Sequence, residues 1–205
     1  MPRTAFAAAL LAGALALVDA RAAVVTVSVV DRSGRPLPGA VVVLEPVATR
    51  TPVKPMTGVE ISQARRTFTP DVTVVTVGTP VTFPNLDTVR HQVYSFSPAK
   101  TFELKLYAGT PSTPVVFDKP GVVVLGCNIH DQMSAWVVVV DTPYHARSTD
   151  AGKARLDNVP AGSYRLRAWH RGLDADAPWA TANVAVAGAD LDATIRVDAV
   201  ASPSP

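Results

Sequence analysis

The chain is a succession of short apolar runs, and a turn rich in glycine, proline, asparagine or aspartate closes each run. Val24–Asp31 and Ser163–Trp169 alternate apolar and polar residues with the period of two that half-buried strands show. Ala135–Asp141 is almost continuously apolar, as expected of a strand buried on both faces. Beyond the N-terminus no segment has the pattern of an amphipathic helix. The sequence therefore predicts an all-β protein.

Composition favours a folded chain with a large core and argues against nucleic acid as a partner. The 205 residues are 48% hydrophobic, and 18 prolines and 12 glycines suit many short strands and turns. A formal net charge of +2, with no basic run longer than Arg65-Arg66, is too small to hold a phosphate backbone. We therefore expect no nucleic-acid binding.

The N-terminal segment, residues 1–23, has the features of an export signal. Arg3 supplies a positive charge, Ala5–Val18 is an apolar run, and small residues follow it at cleavage spacing. The apolar run is shorter than the ~20 residues that a bilayer-spanning helix needs. We expect cleavage between Ala20 and Ala23, a periplasmic mature protein and no stable membrane insertion. A buried N-terminal helix is the alternative.

Changes in pattern divide the mature chain into parts. Residues 24–50 hold two strands, and Pro46–Gly58 is a patternless stretch rich in proline and threonine that has the composition of a linker. Residues 51–141 contain about eight short strands, which predicts an antiparallel sandwich. Residues 142–200 form a second all-β set with different turns, and residues 201–205 are expected to be a disordered tail.

The single cysteine of the chain lies in a loop with two other metal-binding side chains. Cys127, His130 and Met133 follow one another at intervals of three residues. A thiolate, a thioether and two imidazoles are the ligands that suit copper in an electron-transfer site. His91, at an upstream junction of loop and strand, can supply the second imidazole. The pattern predicts a metal centre of these four residues with one copper ion.

Other interpretations of Cys127 compete with copper. Structural zinc sites favour several thiolates over methionine. A nucleophilic Cys–His pair needs a third group to hold the histidine and leaves Met133 without a role. A buried thiol can also be a simple core residue. The other histidines, His145 and His170, are expected at the surface and are too few for the further copper centre of an oxidase, so we expect no enzyme.

Two motifs in the middle of the chain follow a known pattern. The approach to the first histidine reads Phe68-x-Pro70, then Val77-Gly78-x-x-Val81-x-Phe83-x-Asn85-x-Asp87-x-x-x-His91-x-Val93. Gly126–Met133 contains the short loop Cys-x-x-His-x-x-Met. Both resemble the cupredoxins, the small blue copper proteins related to plastocyanin and amicyanin, and in particular those labelled methylamine-utilisation proteins. The resemblance implies a Greek-key β-sandwich over Val59–Asp141, with His91, Cys127, His130 and Met133 as ligands of a type 1 copper.

The flanking parts carry a second resemblance. Thr26–Leu44 contains Gly34-Arg-Pro-Leu-Pro-Gly-Ala40, and Thr149–Leu166 contains Val159-Pro-Ala-Gly-Ser-Tyr164. These segments resemble the two ends of a carboxypeptidase regulatory-like or transthyretin-like β-sandwich. The resemblance implies one small Ig-like sandwich, residues 24–50 plus 142–200, interrupted by the copper domain. An independent N-terminal hairpin with a separate C-terminal domain is the alternative.

The cupredoxin resemblance implies a periplasmic single-electron carrier that works with redox partner proteins. It places His130 near the surface, and it makes Asn85, Asp87 and Asn128 candidates for hydrogen bonds that hold the ligand loops. Ordinary turn chemistry is the alternative for these three residues. A copper storage or delivery protein, or a β-scaffold that binds a partner, are the alternative functions.

Overall fold

The computed structural model describes residues 22–173 and 177–199, and these residues form strands and no helix. The strands, in chain order, are β1 (Ala23–Val30), β2 (Val41–Pro46), β3 (Val59–Glu60), β4 (Ser62–Ala64), β5 (Thr67–Thr69), β6 (Val72–Thr76), β7 (Thr79–Thr82), β8 (His91–Ser97), β9 (Lys100–Tyr107), β10 (Val115–Phe117), β11 (Gly121–Gly126), β12 (Ser134–Val140), β13 (His145–Arg147), β14 (Lys153–Val159), β15 (Gly162–Trp169), β16 (Ala180–Val186) and β17 (Leu191–Arg196). The predicted all-β class is confirmed.

Two sequence-based predictions concern the ends of the chain. The export segment, except for its last two residues, and the tail 201–205 lie outside the described residues. Within residues 22–173 and 177–199, no helix has the length and apolarity to cross a membrane.

Strands β3 to β12 form a β-sandwich, here called the central sandwich. A five-stranded sheet in the order β6-β12-β11-β8-β9 faces the small sheet β10-β7-β3 and the hairpin β4-β5. The expectation of purely antiparallel pairing is wrong at two places, because β6 runs parallel to β12 and β3 runs parallel to β7. Both pairs join strands that are distant in sequence, so no tight turn fixes their direction.

The central sandwich encloses one core of buried, mostly apolar side chains. Its buried members include three phenylalanines, six valines, and the cysteine and methionine of the candidate site: Ile61, Phe68, Val75, Val81, Phe83, Val93, Phe117, Val123, Leu125, Cys127, Met133, Ala135, Val137 and Val139. The alternation along β11 and β12 sends every second residue into this core. Two of the four predicted metal ligands, Cys127 and Met133, therefore belong to this core.

Strands β1, β2 and β13 to β17 form a second pair of sheets, here called the flanking sandwich. One sheet has the order β14-β1-β17 and the other β13-β2-β15-β16. The strands β1 and β2 lie in different sheets, and each pairs with strands from beyond the central sandwich. Their shared core is separate from that of the central sandwich. The domain boundaries at 50/51 and 141/142, and the regulatory-like assignment, stay predictions.

The two sandwiches meet in a third cluster of buried apolar side chains. It contains Val41 and Val43 of β2, Val138 and Val140 of β12, and Trp169 at the end of β15. Strand β12 therefore buries one face in the core of the central sandwich and the other against the flanking sandwich, which accounts for its almost continuous apolar sequence. An ion pair between Arg171 Nη1 and Asp71 Oδ2, 2.6 Å apart, also joins the two sandwiches.

Candidate metal centre

His91 is the first residue of β8, and the loop before it is tied down by a short polar network. The Asn85 side-chain amide donates to the carbonyl oxygens of Val89 and Tyr107, both at 2.9 Å. The Asp87 backbone N–H donates to Asn85 Oδ1 at 3.0 Å. These bonds fix the loop at both ends, and the His91 side chain is fully buried. Asn85 therefore holds the loop, as ordinary turn chemistry does, without contacting the histidine.

The Asp87 carboxylate orients the His91 ring. His91 Nε2 lies 2.8 Å from Asp87 Oδ2, and His91 Nδ1 lies 3.9 Å from Cys127 Sγ. Because a carboxylate accepts hydrogen bonds, it favours the tautomer with the proton on Nε2, which leaves the Nδ1 lone pair facing the sulfur. A carboxylate behind a histidine is the usual support of a metal-binding imidazole.

Asp87 is itself held by a neighbouring hairpin. The backbone N–H groups of Arg65 and Arg66, in the turn between β4 and β5, donate to its two carboxylate oxygens at 2.6 and 2.9 Å. These bonds, first that from Arg66 and then that from His91, lower the pKa of Asp87 to about 2. Asp87 is therefore an anion at neutral pH and a permanent acceptor for His91.

The loop between β11 and β12 brings the other three predicted residues together. Cys127 and Met133 are buried at the two ends of the loop, and the Met133 backbone N–H donates to the His130 carbonyl oxygen at 3.0 Å, which closes it. His130 is half-buried, and its ring centroid lies 5.0 Å from that of His91. His130 Nδ1 is buried and has no hydrogen-bond partner among the described residues.

Three of the four predicted ligands converge on one point. One potential ligand atom each from His91, Cys127 and His130 lies within 4.8 Å of the other two. A buried imidazole nitrogen without a partner is costly, and a metal ion in the space between these atoms would satisfy it. Met133 packs in the same core cluster as Cys127. Two imidazoles and one thiolate, with a thioether nearby, fit copper.

Some parts of this environment were not evident in the sequence. Gln63 and Tyr107 lie below the His91 loop, where the Tyr107 hydroxyl donates to the Phe83 carbonyl oxygen at 2.7 Å and accepts from the Gln63 amide. Burial raises the pKa of Tyr107 to about 12, so it remains a neutral donor. Asn128 is exposed and makes no side-chain hydrogen bond within the described residues. Tyr107 pairs with His91 across β8 and β9. Only a prediction of that strand pairing could have placed Tyr107 near the site from the sequence.

The other two histidines lie away from this centre. His145 is half-buried, with Nδ1 at 3.1 Å from the Thr142 carbonyl oxygen. The prediction of a surface position is wrong for His170, which is buried beside the Arg171–Asp71 ion pair. Burial lowers the pKa of His170, and its Nδ1 accepts from the Gly172 backbone N–H at 3.0 Å. Its position near a strand end in the sequence did not indicate this burial.

Asp87→Asn is expected to lower the free energy of unfolding at neutral pH by about 2 kcal/mol, because an ionised acceptor of three hydrogen bonds is replaced by an amide. A depressed pKa stabilises the fold above the ordinary value of 3.8, and that stabilisation is lost as pH falls through about 2. The difference between wild type and variant should therefore be constant above about pH 5 and shrink towards pH 2. Urea unfolding measures it.

The matched control is Asp192→Asn on β17, an exposed carboxylate without a hydrogen bond among the described residues. Its effect should stay within about 0.5 kcal/mol at every pH. A pH-independent effect of Asp87→Asn would contradict the ionised role of Asp87.

No protein-family model and no curated protein matches the chain. Solved structures match part of it. A Cu-containing nitrite reductase from Thermus scotoductus SA-01 is 25% identical over 47% of this chain, with a TM-score of 0.39, and the match spans 25% of the reductase chain. A purple cupredoxin from Nitrosopumilus maritimus is 23% identical, with 40% of this chain and 99% of that chain covered and a TM-score of 0.36. A reduced Cu(I) form of an amicyanin mutant is 17% identical, with coverages of 48% and 98% and a TM-score of 0.38.

Proposed function

We propose that the chain is an exported cupredoxin, a type 1 copper protein that carries single electrons between partner proteins in the periplasm and catalyses no reaction of its own. Its main support is the convergence of His91, Cys127 and His130, whose ligand atoms lie within 4.8 Å of one another. When bound, copper would supply a one-electron Cu(II)/Cu(I) couple. On this proposal His91, Cys127, His130 and Met133 hold one ion per chain, and residues 24–50 with 142–200 form a regulatory-like module that the copper domain interrupts.

The surrounding residues suit this role. Asp87 and the backbone of the β4–β5 turn fix the His91 ring, so the position of this ligand is set by hydrogen bonds outside its own strand. Burial of Cys127 and Met133 in the core keeps water from the sulfur atoms. His130 lies next to the exposed Ile129, which leaves its side of the site closest to solvent. A rigid, mostly buried site with one accessible edge suits electron transfer better than metal delivery.

A nucleophilic cysteine is the second candidate, because Asp87, His91 and Cys127 are arranged in the order of a catalytic triad. The 3.9 Å separation of Cys127 Sγ from His91 Nδ1 is long for proton transfer, and the thiol is buried. This alternative also leaves the unpartnered His130 Nδ1 and the nearby Met133 without a role. Copper accounts for all four residues.

The decisive experiment is the visible spectrum of the purified full chain after addition of Cu(II). An intense band in the red that ascorbate bleaches reversibly is expected, because thiolate-bound Cu(II) absorbs strongly and accepts one electron. Weak absorption with bound copper would favour storage or delivery. No copper binding, combined with rapid alkylation of Cys127 by iodoacetamide, would favour the nucleophile.

A further inference from the structure

The turn between β4 and β5 places two arginines where the backbone disfavours side chains. Ala64 pairs with Thr67, so Arg65 and Arg66 form a two-residue hairpin loop. Their φ angles are 54° and 58°, the left-handed region in which such loops ordinarily carry asparagine and glycine. Both arginines are exposed, so burial does not explain the choice of residue. The turn therefore carries two guanidinium groups at positions where its backbone favours other residues.

These arginines are cations without a charged partner. Their backbone N–H groups bind Asp87, and among the described residues neither side chain forms an ion pair. The same holds for the exposed Arg90, which directly precedes His91. By contrast, the ion pairs of the structure occupy arginines elsewhere, namely Arg35, Arg50, Arg155, Arg165, Arg167 and Arg171. Three arginines without an ion pair therefore lie around the His91 loop, beside one carboxylate, that of Asp87, whose oxygens are bound by the turn backbone and His91.

Exposed apolar side chains lie next to this charge. Leu86 and Val89, in the loop with Arg90, have exposed fractions of 68% and 40%. Val89, Thr88, Asp87 and the two turn arginines line one open depression. Ile129, 48% exposed, precedes His130, whose ring is 5.0 Å from that of His91. An apolar surface edged with unpaired arginines therefore lies at the end of the central sandwich that holds the candidate metal centre.

We propose that Arg65, Arg66 and Arg90 form a docking surface for a partner protein with an acidic face, an inference that rests on the proposed electron-carrier function. Guanidinium groups bind carboxylates in pairs of parallel hydrogen bonds, and complementary charge accelerates encounter more than it strengthens a complex. The turn also connects to the metal centre through a single side chain, since Asp87 bridges its backbone to His91. A partner bound at the turn is therefore separated from the proposed ligand His91 by a single side chain, that of Asp87.

The test replaces the turn by the residues its backbone prefers, Arg65→Asn with Arg66→Gly. The two backbone N–H groups that hold Asp87 remain, and the melting temperature should rise because the new residues suit the positive φ angles. The matched control is Arg32→Gln with Arg196→Gln, which removes the same charge from exposed arginines of the flanking sandwich that form no ion pair among the described residues. A gain in melting temperature shows that the turn variant keeps its fold.

The rate at which the reduced, copper-loaded full chain is oxidised is measured by stopped flow. Hexacyanoferrate(III), an anion, takes one electron from each reduced centre and becomes hexacyanoferrate(II). In the turn variant this rate should fall about three- to tenfold at low ionic strength, and the loss should vanish at high salt. Oxidation by the cationic tris(phenanthroline)cobalt(III) should become faster. Equal effects in the control variant would overturn the proposal.

A second measurement does not depend on copper. In the copper-free full chain, titration with hexaglutamate should shift the amide NMR signals of residues 64–67 and 88–90, and the turn variant should lose these shifts. Scattered shifts, or equal shifts with inorganic phosphate, would overturn an acidic protein face as the ligand. Localised shifts in a protein that shows no reversible copper redox chemistry would instead overturn the electron-carrier function and keep the docking surface.

Discussion

Cys127→Ser is expected to abolish the intense red absorption of the copper-loaded protein completely. The band requires a thiolate bound to Cu(II), and the chain contains no other cysteine. The hydroxyl of serine stays protonated at neutral pH and is a poor copper ligand, so copper affinity should fall as well. Absorption spectra and equilibrium copper titrations of wild type and variant measure both effects.

Met133→Leu is the matched control within the same loop. The substitution conserves volume at a buried position, and we expect the fold and the red band to persist, since a thioether is only a weak axial ligand. The reduction potential should rise, because a sulfur donor that favours the oxidised ion has been removed. An unchanged band in Cys127→Ser would contradict the assignment of Cys127, whereas loss of the band in Met133→Leu would make Met133 a main ligand.

Most of the candidate site was predictable because three of its four residues are close to one another in the sequence. Cys127, His130 and Met133 lie on one loop, and the strands on both sides of it carry clear patterns. His91 came from a separate motif, and the structure brings its ring to 5.0 Å from that of His130. The support of Asp87 by Arg65 and Arg66 was not predictable. That contact joins the β4–β5 turn to a distant loop, and nothing local in either segment signals it.

The fold was predictable where alternation decides burial and unclear where the chain changes sheets. Strand β1 buries every second residue, as its sequence indicates. Val59–Gln63, which has the pattern of one strand, is divided at the fully buried Ile61 into β3 and β4 of different sheets. Such a break is set by the geometry of closing a sandwich, and a short apolar run cannot reveal it. The burial of His170, directly after β15, was likewise not indicated by the local sequence.

Contact between the sandwiches is centred on one tryptophan. Trp169 is 7% exposed and packs with valines of β2 and β12. Its ring centroid lies 6.5 Å from that of Trp136 on the central sandwich and 6.5 Å from that of Trp179. Because β12 turns one of its two apolar faces to this cluster, the central sandwich by itself would expose Val138 and Val140 to water.

Trp169→Ala is therefore expected to lower the free energy of unfolding by about 3–5 kcal/mol, the usual range for removal of a large aromatic from a core. Trp179→Ala is the control. Trp179 is half-buried at the edge of the same cluster, with the Arg167 guanidinium 4.6 Å from its ring centroid, and its loss should cost less than that of Trp169 because less of it is buried. Urea unfolding followed by far-UV circular dichroism measures both.

The red copper band should survive Trp169→Ala in the folded state, because none of the proposed ligands belongs to this cluster. A loss below about 1 kcal/mol for Trp169→Ala would mean that the two sandwiches are energetically independent, and the apolar sequence of β12 would then need another cause.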